Sequence, residues 1–135
     1  MVTGHCLCGF VAYEYAGAVG PAGYCHCEDC RRRSGSAFGI SVRIDTAALM
    51  ITRGQVKIFT KSSDSGVALS RSFCPQCGSA LFTNSARHPE YTYVQAGSLD
   101  NPNLVEPKQQ SWLRSAVPWR VIDESLQSHE KGRPN

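Results

Sequence analysis

Hydrophobic and polar residues alternate over many short stretches of the chain, with the period of two that is typical of β-strands. The predicted strands cover residues 9–15, 36–44, 50–52, 56–61, 67–73, 80–83 and 91–95. One polar stretch, Glu28 to Ser34, predicts a single helical turn or a tight loop that ends at Gly35. Residues 16–23 contain three glycines and Pro21, so they are predicted to form a loop. The pattern therefore predicts a mostly β protein.

The length of 135 residues fits a single domain. We expect that domain to cover residues 1–124, followed by a polar C-terminal tail over 125–135 that is frayed. No apolar run approaches the ~20 residues that cross a membrane, and the N-terminus lacks the pattern of a secretory signal. The sequence thus predicts a cytoplasmic protein with no membrane partner. A net charge of +3 is too mild to favour nucleic acid as a partner.

All seven cysteines fall into three close groups. These are Cys6 and Cys8; Cys25, Cys27 and Cys30; and Cys74 and Cys77. Thiols this close in sequence are poor disulfide partners, because a disulfide needs its Cα atoms further apart than a tight turn gives. They are good metal ligands, because residues two apart in a strand point to one side. Gly78, which follows the last pair, can adopt the positive φ that closes a zinc-binding turn. The spacing therefore predicts zinc sites.

Coordination number suggests how the cysteines divide between two zinc ions per chain. The two outer pairs supply the four ligands of a closed structural site, whereas the central three leave the open position of a catalytic site. The central three could instead be joined by His5, His26 or His88 to make a second closed site. His26 is the poorest of these because it lies between two ligands and should point to the opposite side. A disulfide framework is the remaining alternative, which the odd number of cysteines disfavours.

Several segments are similar in sequence to one known family. They are GHCLCG at 4–9, CHCEDCRRRSGSAF at 25–38, FCPQCGS at 73–79, AGSLD at 96–100, and Trp112 with Pro118 and Trp119. Together they resemble the glutathione-dependent formaldehyde-activating enzyme family, whose domain is shared with centromere protein V. The similarity runs from Gly4 to about Asp123. Two departures are that His5 replaces a common glycine and that the glutathione-linked members have more sequence before the first cysteine pair.

The resemblance implies a fold of antiparallel sheets held together by zinc, sometimes called a β-tent. It also implies that Cys6, Cys8, Cys74 and Cys77 bind a structural zinc. The other three cysteines, Cys25, Cys27 and Cys30, would then bind the catalytic zinc. The activity implied is the joining of glutathione and formaldehyde.

A zinc ion with three thiolate ligands is suited to bind one more thiolate. A thiol held there could add to a small aldehyde to give a hemithioacetal, and the reverse reaction is that of a carbon–sulfur lyase. Glutathione is anionic, so the candidate substrate-binding residues are cations and neighbouring groups: Arg31, Arg32, Gly35, Ser36 and Trp112. The predicted partners are a small thiol and an aldehyde, with a homodimer left open.

Two other functions stay open at this point. A non-enzymatic zinc module could bind a protein or nucleic acid through the cluster Arg31–Arg33. A zinc-trafficking or redox protein would need a loosely held, oxidisable group of three cysteines.

Overall fold

The computed structural model describes residues 1–121 and 123–133. It contains eleven β-strands in two sheets, one α-helix and four short 3₁₀ turns within these ranges. A three-stranded sheet has the order β1 (Val2–His5), β2 (Ala12–Tyr15) and β5 (Leu49–Arg53). The eight-stranded sheet has the order β11 (Gln127–Ser128), β10 (Pro107–Ser111), β3 (Ala22–Cys25), β4 (Gly39–Asp45), β9 (Tyr91–Gln95), β8 (Ala80–Ser85), β7 (Ala68–Phe73) and β6 (Lys57–Ser62).

The hydrophobic core lies between the two sheets. Ala22, Val42, Val94 and Phe82 stand side by side on four neighbouring strands of the large sheet, and all are buried. Tyr13 of the small sheet meets Phe82 edge to face, with ring centroids 5.1 Å apart. Because side chains alternate between the faces of a strand, residues next to these in sequence point to the other face of the large sheet.

The helix α1 (Glu28–Ser34) lies on that other face. Its first turn is capped by Cys27, whose Sγ accepts a hydrogen bond from the Cys30 N–H. Its last turn ends at Gly35, which has a φ of 70° and donates its N–H to the Arg31 carbonyl. Glycine is favoured here because other residues are strained at positive φ. The predicted bounds and the end at Gly35 are confirmed, but the segment is a seven-residue helix of about two turns where a single turn or a tight loop was predicted.

The mostly β prediction is confirmed, and the predicted strand over 91–95 has the same bounds in the structure. Four strands were missed, namely β1, β3, β10 and β11. Of these, β3 begins at Ala22 inside the predicted loop 16–23. The sheets are antiparallel except at one edge, where β10 runs parallel to both β3 and β11.

The expectation of a frayed tail is wrong for residues 127–131. Gln127 and Ser128 form β11 beside β10, and the N–H of Trp112 donates to the Lys131 carbonyl. Backbone hydrogen bonds therefore hold this segment against the domain. Residue 122, at the predicted boundary region, and residues 134–135 of the tail lie outside the described residues. No helix of the described chain has both the length and the apolar character needed to cross a membrane.

Candidate metal centres and the clefts beside α1

The first and last cysteine pairs meet in one group, here called the four-cysteine cluster. It consists of Cys6, Cys8, Cys74 and Cys77, whose sulfur atoms all lie within 4.8 Å of one another. The Sγ atoms of Cys6 and Cys8 are 3.7 Å apart, and those of Cys8 and Cys74 are 3.8 Å apart. A tetrahedral zinc with Zn–S bonds of about 2.3 Å requires sulfur atoms about 3.8 Å apart. The cluster thus has the ligand number and spacing of a structural zinc site.

The turn that carries the first pair directs backbone N–H groups at the sulfurs. The N–H of Val11 donates to Cys6 Sγ at 3.3 Å, and the N–H of Phe10 donates to Cys8 Sγ at 3.5 Å. Gly9, with a φ of 79°, makes this turn. Such N–H groups stabilise negative charge on a thiolate, the form that binds metal.

The second pair lies at the tip of the β7–β8 hairpin and is arranged in the same way. Cys74 Sγ accepts from the N–H groups of Gln76 and Cys77, both at 3.4 Å. Gly78 follows with a φ of 77°, as its place after the pair predicted. The side-chain hydrogen bond of Ser79, 3.2 Å from Cys77 Sγ, lowers the pKa of the Cys77 thiol to about 5, so this thiol is ready to act as a thiolate ligand.

The three remaining cysteines form a second group, here called the triplet. Cys25 ends β3, Cys27 caps α1, and Cys30 lies one turn into the helix. Their sulfur atoms also lie within 4.8 Å of one another. The end of β3 and the start of α1 therefore bring three thiols together. Among the residues described, no fourth His, Cys, Asp or Glu ligand belongs to this group. Of the two clusters, this is the one whose donor set leaves a coordination position free.

The protonation of the triplet favours a bound cation. Hydrogen bonds from Cys27 and Cys30 lower the pKa of Cys25 to about 3. The same interactions raise the pKa of Cys27 and of Cys30, because a thiolate already present at Cys25 opposes further negative charge. The thiolate of Cys25 is stable without a metal, whereas ionisation of all three thiols requires a positive ion to offset their negative charges. The donor set therefore fits a divalent metal.

His26 points away from the triplet, as its place between two ligands predicted. Its ring is buried, and its Nε2 lies 3.2 Å from the side-chain oxygen of Gln110. The Gln110 amide in turn donates to the Asp123 carbonyl and to the Ser128 hydroxyl. His26 thus ties the segment between Cys25 and Cys27 to β10 and the tail, and neither His5 nor His88 joins a cysteine group in the described structure.

A cleft of about 710 Å³, here called the first cleft, lies between the C-terminal end of α1, the start of β4 and the four-cysteine cluster. Ser36, Phe38, Gly39 and Ser98 are among its lining residues. Gly39 brings the cleft to the triplet, because a Cβ built on it would lie 3.3 Å from the Cβ of Cys30 and 3.6 Å from its Sγ. Gly39 is thus a neighbour both of the first cleft and of Cys30 in the triplet.

The predicted substrate-binding residues of α1 are placed differently from one another. Ser36 lines the first cleft, and Gly35 forms the helix cap. Arg32 pairs with Glu28 at 2.9 Å, one helical turn back, and its side chain is 68% exposed. Arg31 makes no ion pair or side-chain hydrogen bond with the residues described. Of these four, Ser36 alone borders the first cleft, and the assignment of substrate roles stays a prediction.

The backbone of Trp112, the fifth predicted substrate-binding residue, lies near the triplet. It follows Ser111, which pairs with Cys25. Its φ of 59° is the one positive value among the described residues other than glycine, and such backbone strain is often found at functional sites. Its indole nitrogen faces Gly132 and borders neither cleft beside α1.

The structure gives Arg33 a role that the sequence did not separate from its neighbours. Its Nη1 donates to the Thr83 hydroxyl at 2.8 Å, and its Nη2 donates to the carbonyls of Phe82 and Ser72 at 3.0 and 3.3 Å. These bonds join α1 to β7 and β8. Burial, with the positive charge of Arg71 nearby, lowers the pKa of Arg33 to about 10. The sequence did contain one signal for this role. Arg33 follows Cys30 by three residues, so the two side chains lie on the same side of the helix.

Replacing Arg33 by methionine is expected to lower the free energy of unfolding by about 1.5–3 kcal/mol, the range for hydrogen bonds of a charged group. Arg32→Met, which removes an exposed ion pair of the same helix, is the matched control and should change it by less than about 1 kcal/mol. Urea denaturation measures both. Equal losses in the two variants would contradict the structural role of Arg33.

Comparison with known proteins shows the family of this chain. The sequence pattern described as "Glutathione-dependent formaldehyde-activating enzyme" matches residues 1–115. The chain belongs to this family. Among solved structures, a Rhodobacter sphaeroides protein from structural genomics is similar, with a TM-score of 0.60 and 26% sequence identity over 78% of this chain and 96% of that chain. No curated protein matches the sequence.

Proposed function

We propose that the protein is a zinc-dependent enzyme of carbon–sulfur lyase type, which joins or cleaves a small thiol and a small aldehyde at the triplet. The observation that supports this is the contrast between the two cysteine groups. The four-cysteine cluster has a full set of ligands, whereas the triplet has three and adjoins a cleft at Gly39. Family membership supports glutathione and formaldehyde as the pair of substrates.

Cys25, Cys27 and Cys30 would hold the catalytic zinc, and the other four cysteines would hold a structural one. When bound at the triplet, zinc would accept the sulfur of a substrate thiol and lower the pKa of that thiol. In the overall reaction the S–H bond of the thiol breaks, a carbon–sulfur bond forms at the aldehyde carbon, and the carbonyl oxygen receives a proton. The single product is a hemithioacetal, and no group leaves.

Residues of the first cleft would hold the aldehyde. Gly39 borders both the first cleft and Cys30, and a side chain there would crowd the Cβ of Cys30. The Ser36 hydroxyl borders the cleft and makes no hydrogen bond with the residues described, so it is free to donate to the aldehyde oxygen. Phe38 supplies an apolar wall. These features suit a small aldehyde such as formaldehyde.

Cobalt in place of zinc tests the central step without measuring turnover. A fourth sulfur ligand should strengthen the thiolate-to-cobalt absorption of the triplet in the near ultraviolet. We expect glutathione to produce this change and S-methylglutathione, which has no ionisable thiol, to leave the spectrum as it was. Cobalt confined to the four-cysteine cluster should respond to neither, since that cluster has no free position.

Equal responses to glutathione and its S-methyl form would rule out thiolate coordination. The Cys27→Ser protein gives the matched control, because it keeps the four-cysteine cluster and lacks one ligand of the triplet. Its cobalt spectrum should be insensitive to thiols. A thiol response that survives this substitution would place the binding elsewhere.

The alternative of a protein- or nucleic-acid-binding module depended on a free cluster of three arginines. Arg33 is engaged within the fold, and Arg32 is paired with Glu28. The geometry therefore gives this alternative less support than the enzyme. Seven free cysteines also suit a reducing compartment, so we propose the cytoplasm as the place of action. Assembly as a homodimer stays a prediction.

A further inference from the structure

A second cleft of about 680 Å³, here called the cationic cleft, lies between α1 and the strands β6 and β7. Its side chains include Asp29 and Arg33 from α1, and Phe59, Lys61, Arg71 and Phe73 from the sheet. It shares Arg33, Gly78 and Ala80 with the first cleft, but it does not reach Gly39, the residue through which the first cleft adjoins the triplet. The proposed chemistry of the triplet does not use it.

The sheet register explains why these side chains meet. Phe59 of β6, Arg71 of β7 and Thr83 of β8 lie directly opposite one another on neighbouring strands. They share the face that α1 covers, because Thr83 receives the hydrogen bond from Arg33. Lys61 stands two residues from Phe59 on the same strand and so points to the same side. One face of the sheet thus presents two cations and an aromatic ring to the helix.

Arg71 is the central feature of the cationic cleft. The residue is only 8% exposed, and its side chain only 10%. Its one ion pair within the described structure is a long contact, 3.8 Å from Nη2 to Asp29 Oδ2. It makes no side-chain hydrogen bond with the residues described. Asp29 is already engaged more closely by Lys61, whose Nζ lies 2.7 Å from Oδ1.

The charges in the cleft do not balance. Arg33, Lys61 and Arg71 are three cations that face the single carboxylate of Asp29, which leaves an excess of two positive charges. Arg32 adds none, since it is paired with Glu28. The Arg71 guanidinium has no hydrogen-bond partner in the described structure, and the cations beside it repel it. An anion with oxygen acceptors would satisfy both Arg71 and Lys61.

The walls of the cleft indicate what else the ligand carries. Phe59 is 58% exposed although it lies on a strand, and Phe73, two residues after Arg71 on β7, is half-buried. Aromatic rings left in contact with water beside cations are typical of sites that bind an anionic group attached to an apolar body.

We propose that the cationic cleft is a binding site for a small molecule with two negative charges, a dicarboxylate or a phosphate ester, whose apolar part packs on Phe59 and Phe73. Arg71 and Lys61 bind the anionic oxygens. Arg33 contributes charge while its hydrogen bonds hold the helix in place.

The test is a titration followed by the amide resonances of β6 and β7 in the zinc-loaded protein. Succinate, inorganic phosphate and phenyl phosphate are the probes, with acetate as the singly charged comparison at constant ionic strength. We expect succinate or phosphate to bind at least about tenfold more tightly than acetate, since the second charge adds a charged hydrogen bond. Phenyl phosphate should bind more tightly than phosphate, and Phe59→Ser should remove that difference.

Lys61→Gln is the main variant, because Lys61 is half-exposed and its loss should leave the fold intact. We expect binding of the doubly charged probes to weaken by about tenfold or more. Lys108→Gln is the matched control: it removes the same charge from an exposed side chain on β10, near the opposite edge of the sheet, and should change binding less than about twofold. Arg71→Gln should abolish binding, with melting used to verify that the protein remains folded.

Two outcomes would overturn the proposal. One is that none of the probes shifts the β6 and β7 resonances at concentrations up to about 10 mM, which is about ten times the Kd of a weak site of 1 mM. The other is that Lys61→Gln and Lys108→Gln weaken binding equally, which would show an effect of net charge alone. Because the readout is binding away from the triplet, a failure of the proposed lyase activity would leave the result unchanged.

Discussion

Replacing Cys77 by serine is expected to give insoluble or molten protein. The four-cysteine cluster joins the turn after β1 to the β7–β8 hairpin, and its sulfurs belong to residues up to 71 positions apart along the sequence. Structural zinc contributes about 10–16 kcal/mol to the folding of small zinc domains. The whole stability of a domain is about 5–15 kcal/mol. Serine cannot replace the soft thiolate, so the loss of this ligand should exceed what the remaining core provides.

Thermal melting and metal analysis measure this effect. The Cys27→Ser protein is the internal control, since the same substitution at the triplet should leave a cooperative transition. A Cys77→Ser protein that melts within a few degrees of the parent would show that the fold does not depend on the cluster. Mild chelation of the parent should remove the metal of the triplet first, because its ligand set is incomplete.

Replacing Cys27 by serine is expected to abolish the thiol–aldehyde reaction while the fold is kept. Cys27 caps α1 through its sulfur, and serine is among the best residues at this position of a helix. The helix should therefore begin at the same place. The metal loses one of three ligands, so activity should fall by more than the 10–100-fold that changes to the groups around a metal's ligands cost.

The measurement is hemithioacetal formation from glutathione and formaldehyde, followed by NMR, together with the zinc content. We expect one zinc per chain in this protein and two in the parent. Ser34→Ala, which changes an exposed hydroxyl at the other end of α1, controls for effects on the helix and should keep both metals. Full activity with two bound zinc ions in the Cys27→Ser protein would show that the triplet is not the active site.

Much of the candidate metal chemistry could be predicted because it is local in sequence. Cys25, Cys27 and Cys30 lie within six consecutive residues, so their spacing alone limits where the thiols can point. The direction of His26 followed from the same argument and agrees with its burial against Gln110. The long-range pairing of the outer cysteines came from ligand counting, and the structure brings these four sulfurs together.

The roles of the arginines could not be predicted because they depend on what α1 packs against. Arg31, Arg32 and Arg33 are alike in sequence, yet only Arg33 reaches the carbonyls of β7 and β8. Arg71 carried no signal in an alternating strand. Its significance arises from the burial of its guanidinium beside Asp29, which is 42 positions away in sequence.

Sequence by itself determined the elements whose pattern is strong within a few residues: alternating strands such as β9, the capped helix α1 and the triplet. Tertiary structure decided what depends on distant partners. Short β3 contains a glycine and no clear alternation, and it forms because β4 and β10 pair with it on both sides. Gln127 and Ser128 of the polar tail form β11 for the same reason, since β10 offers them an open edge of hydrogen-bonding groups.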